Sequence, residues 1–252
     1  MTVTHDTTHP AVEFEHVTTV LSGRAVLDDV SFAIAPGEAV CVLGKSGTGK
    51  SVTLKTIMGL MSPDAGRVFV QGRAVTDASR DELSEIRQHL GFLFQNAALF
   101  DSITVGENVA FPLRRHTDLV EREIEEIVTE KLADVGLESA YDKMPSELSG
   151  GMKKRVGLAR AMALEPAVLL VDEPSAGLDP ITADEIDDLL CELREHGTTL
   201  LVVTHNIPSA RKVGKRLMVL DNGRIVADGT VDDMDRSELP LVREFMRSKG
   251  SG

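Results

Sequence analysis

Ala39-Val40-Cys41-Val42-Leu43-Gly44-Lys45-Ser46-Gly47-Thr48-Gly49-Lys50-Ser51 joins a run of apolar residues to a glycine-rich octet. An apolar run that ends in glycine has the pattern of a strand buried on both faces. The octet follows the spacing glycine, four residues, glycine, lysine, serine, and a helix is expected after it over residues 50–60. Strand, glycine loop and helix together are what phosphate binding requires. Gly44, Gly47 and Gly49 let the backbone N–H groups of Lys45, Ser46 and Thr48 turn inward around β- and γ-phosphates, and the helix N-terminus adds its positive dipole end. Lys50 supplies a mobile cation for the phosphate oxygens. Ser51 offers a hydroxyl to Mg²⁺, a hard ion that prefers oxygen ligands. A chance glycine-rich turn is the alternative, and the flanking elements argue against it. The loop alone does not say which nucleotide-hydrolysing family is present.

Working outward, residues 12–17 and 26–34 read as an antiparallel hairpin around Ser22-Gly23-Arg24, followed by a turn at Pro36-Gly37. Residues 66–71 read as a strand and 80–88 as a short helix. Ile124, Ile127, Val128, Leu132 and Val135 share one face of a helix over 121–135, with acids on the other face. A further helix spans 149–163. Buried strands over 168–171 and 199–203 enclose a helix over 181–195, so this half alternates β and α, as in a parallel sheet with right-handed crossovers. Asp221-Asn222-Gly223-Arg224 turns a closing hairpin of 217–220 with 225–227.

The strand over 168–171 leads into Asp172-Glu173-Pro174, placing two carboxylates at the edge of a parallel sheet where ligands of such folds bind. Asp172 is placed to hold Mg²⁺ through a water, and Glu173 to polarise the water that attacks the γ-phosphate. Two acids at a strand end are more often a solvated turn. The phosphate loop upstream reverses that expectation.

A net charge of -13 argues against a general nucleic-acid binder, which needs a basic excess. The hydrophobic fraction of 42% is that of an ordinary globular chain. Two cysteines, Cys41 and Cys191, lie in apolar surroundings without metal-ligand spacing, and are expected to be buried free thiols in a reducing compartment. No apolar run is long enough to span a membrane, and residues 1–10 are polar without a signal region, so a cytosolic or peripheral chain is expected.

Leu148-Ser149-Gly150-Gly151-Met152 resembles the Leu-Ser-Gly-Gly-Gln signature of ATP-binding cassette ATPases, with methionine at the fifth place. The resemblance runs through almost the whole chain in the family's order. It implies an α/β fold: a P-loop ATPase core with a parallel sheet, an antiparallel β layer, and a helical subdomain over about 95–165. One domain would cover 12–235, with a short C-terminal segment over 236–252. It also implies that ATP is sandwiched head to tail between two copies, with Ser149, Gly150 and Gly151 reaching the partner's γ-phosphate and the helix behind them adding its dipole. Gln95 matches the glutamine that touches Mg²⁺ and faces the membrane partner. Ser175-Ala176-Gly177-Leu178-Asp179 matches the loop that crosses the dimer interface, with Asp179 as its carboxylate, and His205 the switch histidine at the γ-phosphate. Glu173, His205 and Gln95 form the catalytic set, and Ser51, Gln95 and Asp172 the Mg²⁺ set. One departure stands out: the aromatic residue that usually stacks adenine is missing from Thr18-Thr19-Val20-Leu21-Ser22, leaving Val20 or Leu21 for apolar contact.

The interval from Gln95 to Leu148 is too short for the coiled coils of cassettes that act on chromosomes, and one cassette is fewer than ribosome-acting members carry. A transporter subunit remains. Phe94-Gln95-Asn96-Ala97-Ala98-Leu99-Phe100-Asp101, the stretch Thr104-Val105-Gly106-Glu107-Asn108-Val109-Ala110-Phe111-Pro112-Leu113-Arg114, Met144-Pro145-Ser146-Glu147 and Asp179-Pro180-Ile181-Thr182 are similar to the ATPases of Mla- and Mce-type phospholipid transporters. That resemblance implies an integral membrane permease, a lipid-binding MCE-domain protein and a peripheral place on the cytoplasmic face of the inner membrane, with no nucleic acid. Amino-acid importers share part of the stretch, and a soluble cassette acting on a protein partner is the other alternative. Leu239-Pro240-Leu241-Val242-Arg243-Glu244-Phe245-Met246 is also similar to the end of these ATPases. Without the longer tail of some relatives, dimer formation is expected to rest on ATP, the permease or an accessory subunit.

Overall fold

A computed structural model describes residues 8–45 and 47–247. Ser46 of the expected phosphate loop, residues 1–7 of the polar N-terminus and 248–252 of the C-terminal segment lie outside the described residues. β1 (Val12–Leu21) and β2 (Arg24–Ile34) form the expected hairpin. Ser22 and Gly23 turn it at φ 51° and 77°, the left-handed geometry of a two-residue turn. β3 (Ala39–Leu43) is buried at every position and delivers the chain to α1 (Lys50–Ile57), which ends before the expected residue 60 because Gly59 takes φ 61°. β4 (Ala65–Val70), β5 (Arg73–Ala74), α2 (Arg80–Gln88) and β6 (Leu90–Leu93) follow. Ser79 and Glu82 box the N-terminus of α2, each bonding the other's backbone N–H.

α3 (Val105–His116) has no counterpart in the periodicity, since Gly106 and Pro112 both oppose a helix. It forms because Thr104 and Glu107 box its start and because Asn108, fully buried, bonds Phe100 N, Phe100 O and Thr104 O. α4 (Glu121–Asp134) buries Ile124, Val128 and Leu132 as expected, and α5 (Gly150–Met162) starts at a Ser149 cap. β7 (Val168–Asp172), α6 (Pro180–Glu195), β8 (Thr199–Thr204), α7 (Ile207–Val213), β9 (Arg216–Asp221), β10 (Arg224–Thr230), α8 (Val231–Arg236) and α9 (Pro240–Arg247) complete the chain.

The described residues form an antiparallel sheet ordered β2-β1-β4-β5 and a larger sheet ordered β10-β9-β3-β8-β7-β6. In the second, β9-β3-β8-β7-β6 are parallel and only β10 runs against its neighbour. Strand alternation divides the core in two. Cys41, Leu43, Leu169, Val171, Val202 and Leu217 face the helical side with α3 to α7. Val40, Val42, Val168, Leu170, Leu201 and Met218 face α1 and the antiparallel sheet. Each such fully buried side chain contributes about 1.5–3 kcal/mol, so the sheet is fixed from both faces and its loops inherit a rigid base. Cys41 is buried as expected, but Cys191 is only half-buried, because it lies at the contact of α6 with the end of α7, its thiol donating to Lys212 O at 3.5 Å.

Candidate functional site

The parallel register brings Leu43 opposite Thr204 and Asp172 opposite Val203, so β3, β7 and β8 end on one edge. The residues that leave those ends line one cleft of about 1270 Å³: Gly44, Lys45, Gly47, Gly49, Lys50 and Ser51 with Gln95, Glu173 and His205. Gly44 has no room for a side chain, since a Cβ would lie 2.5 Å from Thr48 Oγ1 and 2.6 Å from Leu220 O. Gly49 has φ 107° and a Cβ there would meet Val26 O at 2.5 Å. These two glycines are dictated by sterics, and the loop closes against the backbone because of them.

Lys50 is 6% exposed, and its Nζ donates to Gly44 O at 2.7 Å and Lys45 O at 3.2 Å while standing 3.6 Å from Glu173 Oε1. Burial lowers its pKa, and the Glu173 carboxylate opposes that shift. The cation is thus held between two backbone carbonyls of the glycine loop and the Glu173 carboxylate. Ser51 Oγ donates to Asp172 Oδ1 at 3.0 Å, joining α1 to β7, and burial raises the Asp172 pKa. Among the described residues no cluster of three or more His, Cys, Asp and Glu could hold a metal. The facing hydroxyl and carboxylate, with the Gln95 amide in the same cleft, form instead a set of hard oxygen donors that fits Mg²⁺.

Glu173 adopts φ 47°, a left-handed conformation unusual for a non-glycine residue. Its Oε2 accepts from Thr204 Oγ1 at 3.1 Å and from His205 N at 3.3 Å, and lies 2.9 Å from His205 Nδ1. The carboxylate is buried, whereas the His205 side chain is 59% exposed toward the cleft. Lys154, a residue the sequence reading passed over, donates from Nζ to Glu173 O at 3.0 Å and is 4% exposed. Burial lowers its pKa, against the pull of Asp172 and Glu173. A lysine one turn into a helix carries no sequence signal, and only the docking of α5 beside β7 reveals it. Also unforeseen, Pro240, Arg243, Glu244 and Phe245 of α9 wall one end of the cleft, and Glu244 lies 3.9 Å from Lys45. Leu21 and Val26 supply apolar lining where the aromatic residue is missing, while Val20 does not line the cleft.

Ser149, Gly150, Gly151 and Asp179 are not brought to this cleft. They form a second neighbourhood: Ser149 Oγ accepts from Met152 N at 3.2 Å, and Asp179 accepts from Ile181 N and Thr182 N at 3.1 Å and from Thr182 Oγ1 at 2.6 Å. The Thr182 bonds hold the Asp179 carboxyl below its usual range. Gly151 packs directly against Thr182 Cγ2, leaving no space for a Cβ. Met152 packs on the helical-side core, which accounts for an apolar residue at the fifth place of the motif.

Residues 27–176 match the family model described as ABC transporter. The chain is 42% identical to the probable ribonucleotide transport ATP-binding protein mkl of Mycobacterium tuberculosis, over 96% of this chain and 68% of that protein. It is 37% identical to the intermembrane phospholipid transport system ATP-binding protein MlaF of Escherichia coli, over 96% and 90%. Among solved structures, a dimeric ATP-binding cassette in a post-hydrolysis state bound to ADP and Pi superposes with a TM-score of 0.81 at 35% identity, covering 87% of this chain and 98% of that one. The family match spans more than half of the chain and the relatives align over nearly all of it, and by these the chain belongs to the ABC transporter family as its ATP-binding cassette.

Proposed function

We propose that this cassette hydrolyses ATP to energise phospholipid transport through a separate membrane permease. The observation that carries the ATPase reading is the convergence of Lys50, Ser51, Asp172, Glu173 and His205 at one sheet edge. Lys50 takes the β- and γ-phosphate oxygens in place of Gly44 O and Lys45 O. Glu173, oriented by Thr204 and His205, polarises the water in line with the γ-phosphate, and His205 contacts the γ-phosphate from the other side. Ser51, Asp172 and Gln95 would hold Mg²⁺, which would supply positive charge against the negative charge of the phosphates.

Ser149, Gly150, Gly151 and Asp179 serve the nucleotide of a second copy. Their distance from the cleft in one chain supports this reading, as does the absence of acidic residues in the first turn of α5, which leaves its dipole end free for an anion. The similarity to MlaF supports a phospholipid cargo, a permease and an MCE-domain partner. Phe100 and Phe111 are exposed with their rings 4.8 Å apart, and Phe94, next to Gln95 in the chain, is exposed as well; the Phe100–Phe111 pair is an apolar surface suited to a permease helix. The similarity to MlaF supports a peripheral place on the cytoplasmic face of the membrane, and no helix among the described residues is long and apolar enough to cross one.

Glu173→Gln is expected to lower steady-state hydrolysis by about 10²- to 10⁴-fold while nucleotide still binds, and to accumulate an ATP-bound dimer on gel filtration. A fully active variant would sink the catalytic assignment. Purification from detergent-solubilised membranes is expected to bring down a multispanning permease and a lipid-loaded partner. A solute receptor in their place would point to an importer of small solutes.

A further inference from the structure

Among the described residues the His205 side chain meets one polar partner, Glu173, so its position over the cleft depends on the backbone that carries it. That backbone runs from β8 into α7, and the first turn of α7 is pinned from two directions. Asn206 caps it, its Oδ1 accepting from Ser209 N at 3.2 Å and its Nδ2 donating to Ser175 Oγ at 3.3 Å. The Ser209 hydroxyl then donates to Asp187 Oδ1 on α6 at 2.5 Å. Asp187 is 5% exposed and Ser209 2%, so an acid and a hydroxyl are enclosed between the two helices at the first turn of α7.

A buried carboxylate is unfavourable beside an apolar residue of similar size, and its use is direction. Apolar packing tolerates a small rotation of α7, whereas a short hydrogen bond from its first turn does not. Among the described residues the other polar contacts between α6 and α7 all engage Lys212 and Val213 in the last turn of α7, so the Ser209 bond alone ties its first turn to α6. Arg194 donates to Lys212 O and Val213 O at the far end of α7, and Lys212 meets Asp184 and Asp188 at the exposed rim. On the sheet side Gly214 rests on Cys41 with no polar bond between them.

We propose that Asp187 is a positioning residue for hydrolysis: through Ser209 it sets the first turn of α7 and thereby the placement of His205 against Glu173. The proposal rests on the roles given above to Glu173 and His205. The groups that face Asp187 are Asp184, Asp188 and Cys191 on its own helix, Ser209 and Lys212 on α7 and Cys41 on β3. Burial pushes the Asp187 carboxyl up to about 6, against the Ser209 hydrogen bond and Lys212. Above that pH the ionised carboxylate is the stronger acceptor for Ser209.

The test compares Ser209→Ala and Asp187→Asn with the unaltered chain in steady-state ATPase assays, fluorescent-nucleotide binding and ¹³C-histidine NMR. Both variants are expected to lose about tenfold or more in kcat, the scale of a misplaced catalytic group, with a much smaller change in KM and nucleotide affinity because the Lys50 loop is untouched. The His205 ring signals should shift in both variants, Ser209→Thr should regain most of the rate, and His205→Ala should mask any further loss. The pH limb near 6 should be lost in both variants, because the Asp187 carboxyl acts on the rate only through the Ser209 hydroxyl. A folded Ser209→Ala with an unchanged kcat and unshifted His205 signals overturns the proposal, as does a loss that multiplies with that of His205→Ala. Should Ser209→Ala fail to fold, the near-isosteric Asp187→Asn carries the same readouts. An unaltered chain without ATPase activity would count against the proposed function, and the NMR comparison would still decide the role of Asp187.

Discussion

Glu173 shows how a single residue is held in a posture that the chain alone would not choose. A left-handed non-glycine residue costs about 1–3 kcal/mol, and here Thr204, His205 and Lys154 bond its carboxylate and carbonyl. The strain sits at the one acid expected to touch water in hydrolysis. Glycines of the phosphate loop can be separated in the same terms. At Gly47, φ is 80° but a Cβ would meet nothing within 4 Å, whereas at Gly49 a Cβ would strike Val26 O. Gly47→Ala is therefore expected to cost about 1–2 kcal/mol, the left-handed penalty alone. Gly49→Ala is expected to cost more and to abolish nucleotide binding, since the loop must move off β2. Urea denaturation and nucleotide titration of the two variants check this, and equal losses would contradict the steric account.

Between elements, two contacts join segments far apart in sequence. Arg160 of α5 donates to Ala97 O and Ala98 O at 2.7 Å, fixing a turn in which both alanines are left-handed just after Gln95. The motif of Ser149 to Gly151 leans on the start of α6 through Gly151 and Thr182. Gly151→Ala must push these apart, and hydrolysis is expected to fall by about tenfold or more because the loop proposed to meet a second copy is displaced. Thr182→Ser removes the obstructing methyl and keeps a hydroxyl for Asp179, so the double variant is expected to regain much of the rate. ATPase assays of the single and double variants decide the matter. No recovery would mean that Gly151 is needed for the nucleotide and not for its fit against α6.

For the whole molecule, the buried Asp187 links stability to pH. Its carboxyl is raised from about 4 in the unfolded chain to about 6 in the fold. Its favourable contribution is therefore full below about pH 4, is lost as pH rises through 6, and changes little above that, a span of at most about 3 kcal/mol. The melting temperature of the unaltered chain is expected to fall relative to Asp187→Asn between pH 4 and 6 and to run parallel above pH 7. Parallel curves throughout would show that this carboxyl is not shifted. The same burial that weakens the fold supplies the directional bond to Ser209. As for what could be read beforehand, the apolar run Ala39–Leu43, the glycine spacing and the acids after β7 declared the sheet and the phosphate loop, because local sterics, strand alternation and backbone freedom are written in neighbouring residues. The turns at Ser22-Gly23 and Asn222-Gly223 were legible for the same reason. Helix α3 was not, since its buried Asn108 and its capping box outweigh Gly106 and Pro112 only once Phe100 is in place. Nor were Lys154, the wall made by α9, the Arg160 clamp and the Asp187–Ser209 bond, each of which joins residues whose proximity comes from how helices dock on the sheet. The sequence by itself determined the parts and their order, through interactions that span a few residues; the tertiary structure decided which distant side chains share a low-dielectric interior, and there a single charge or hydroxyl gains its partner and its consequence.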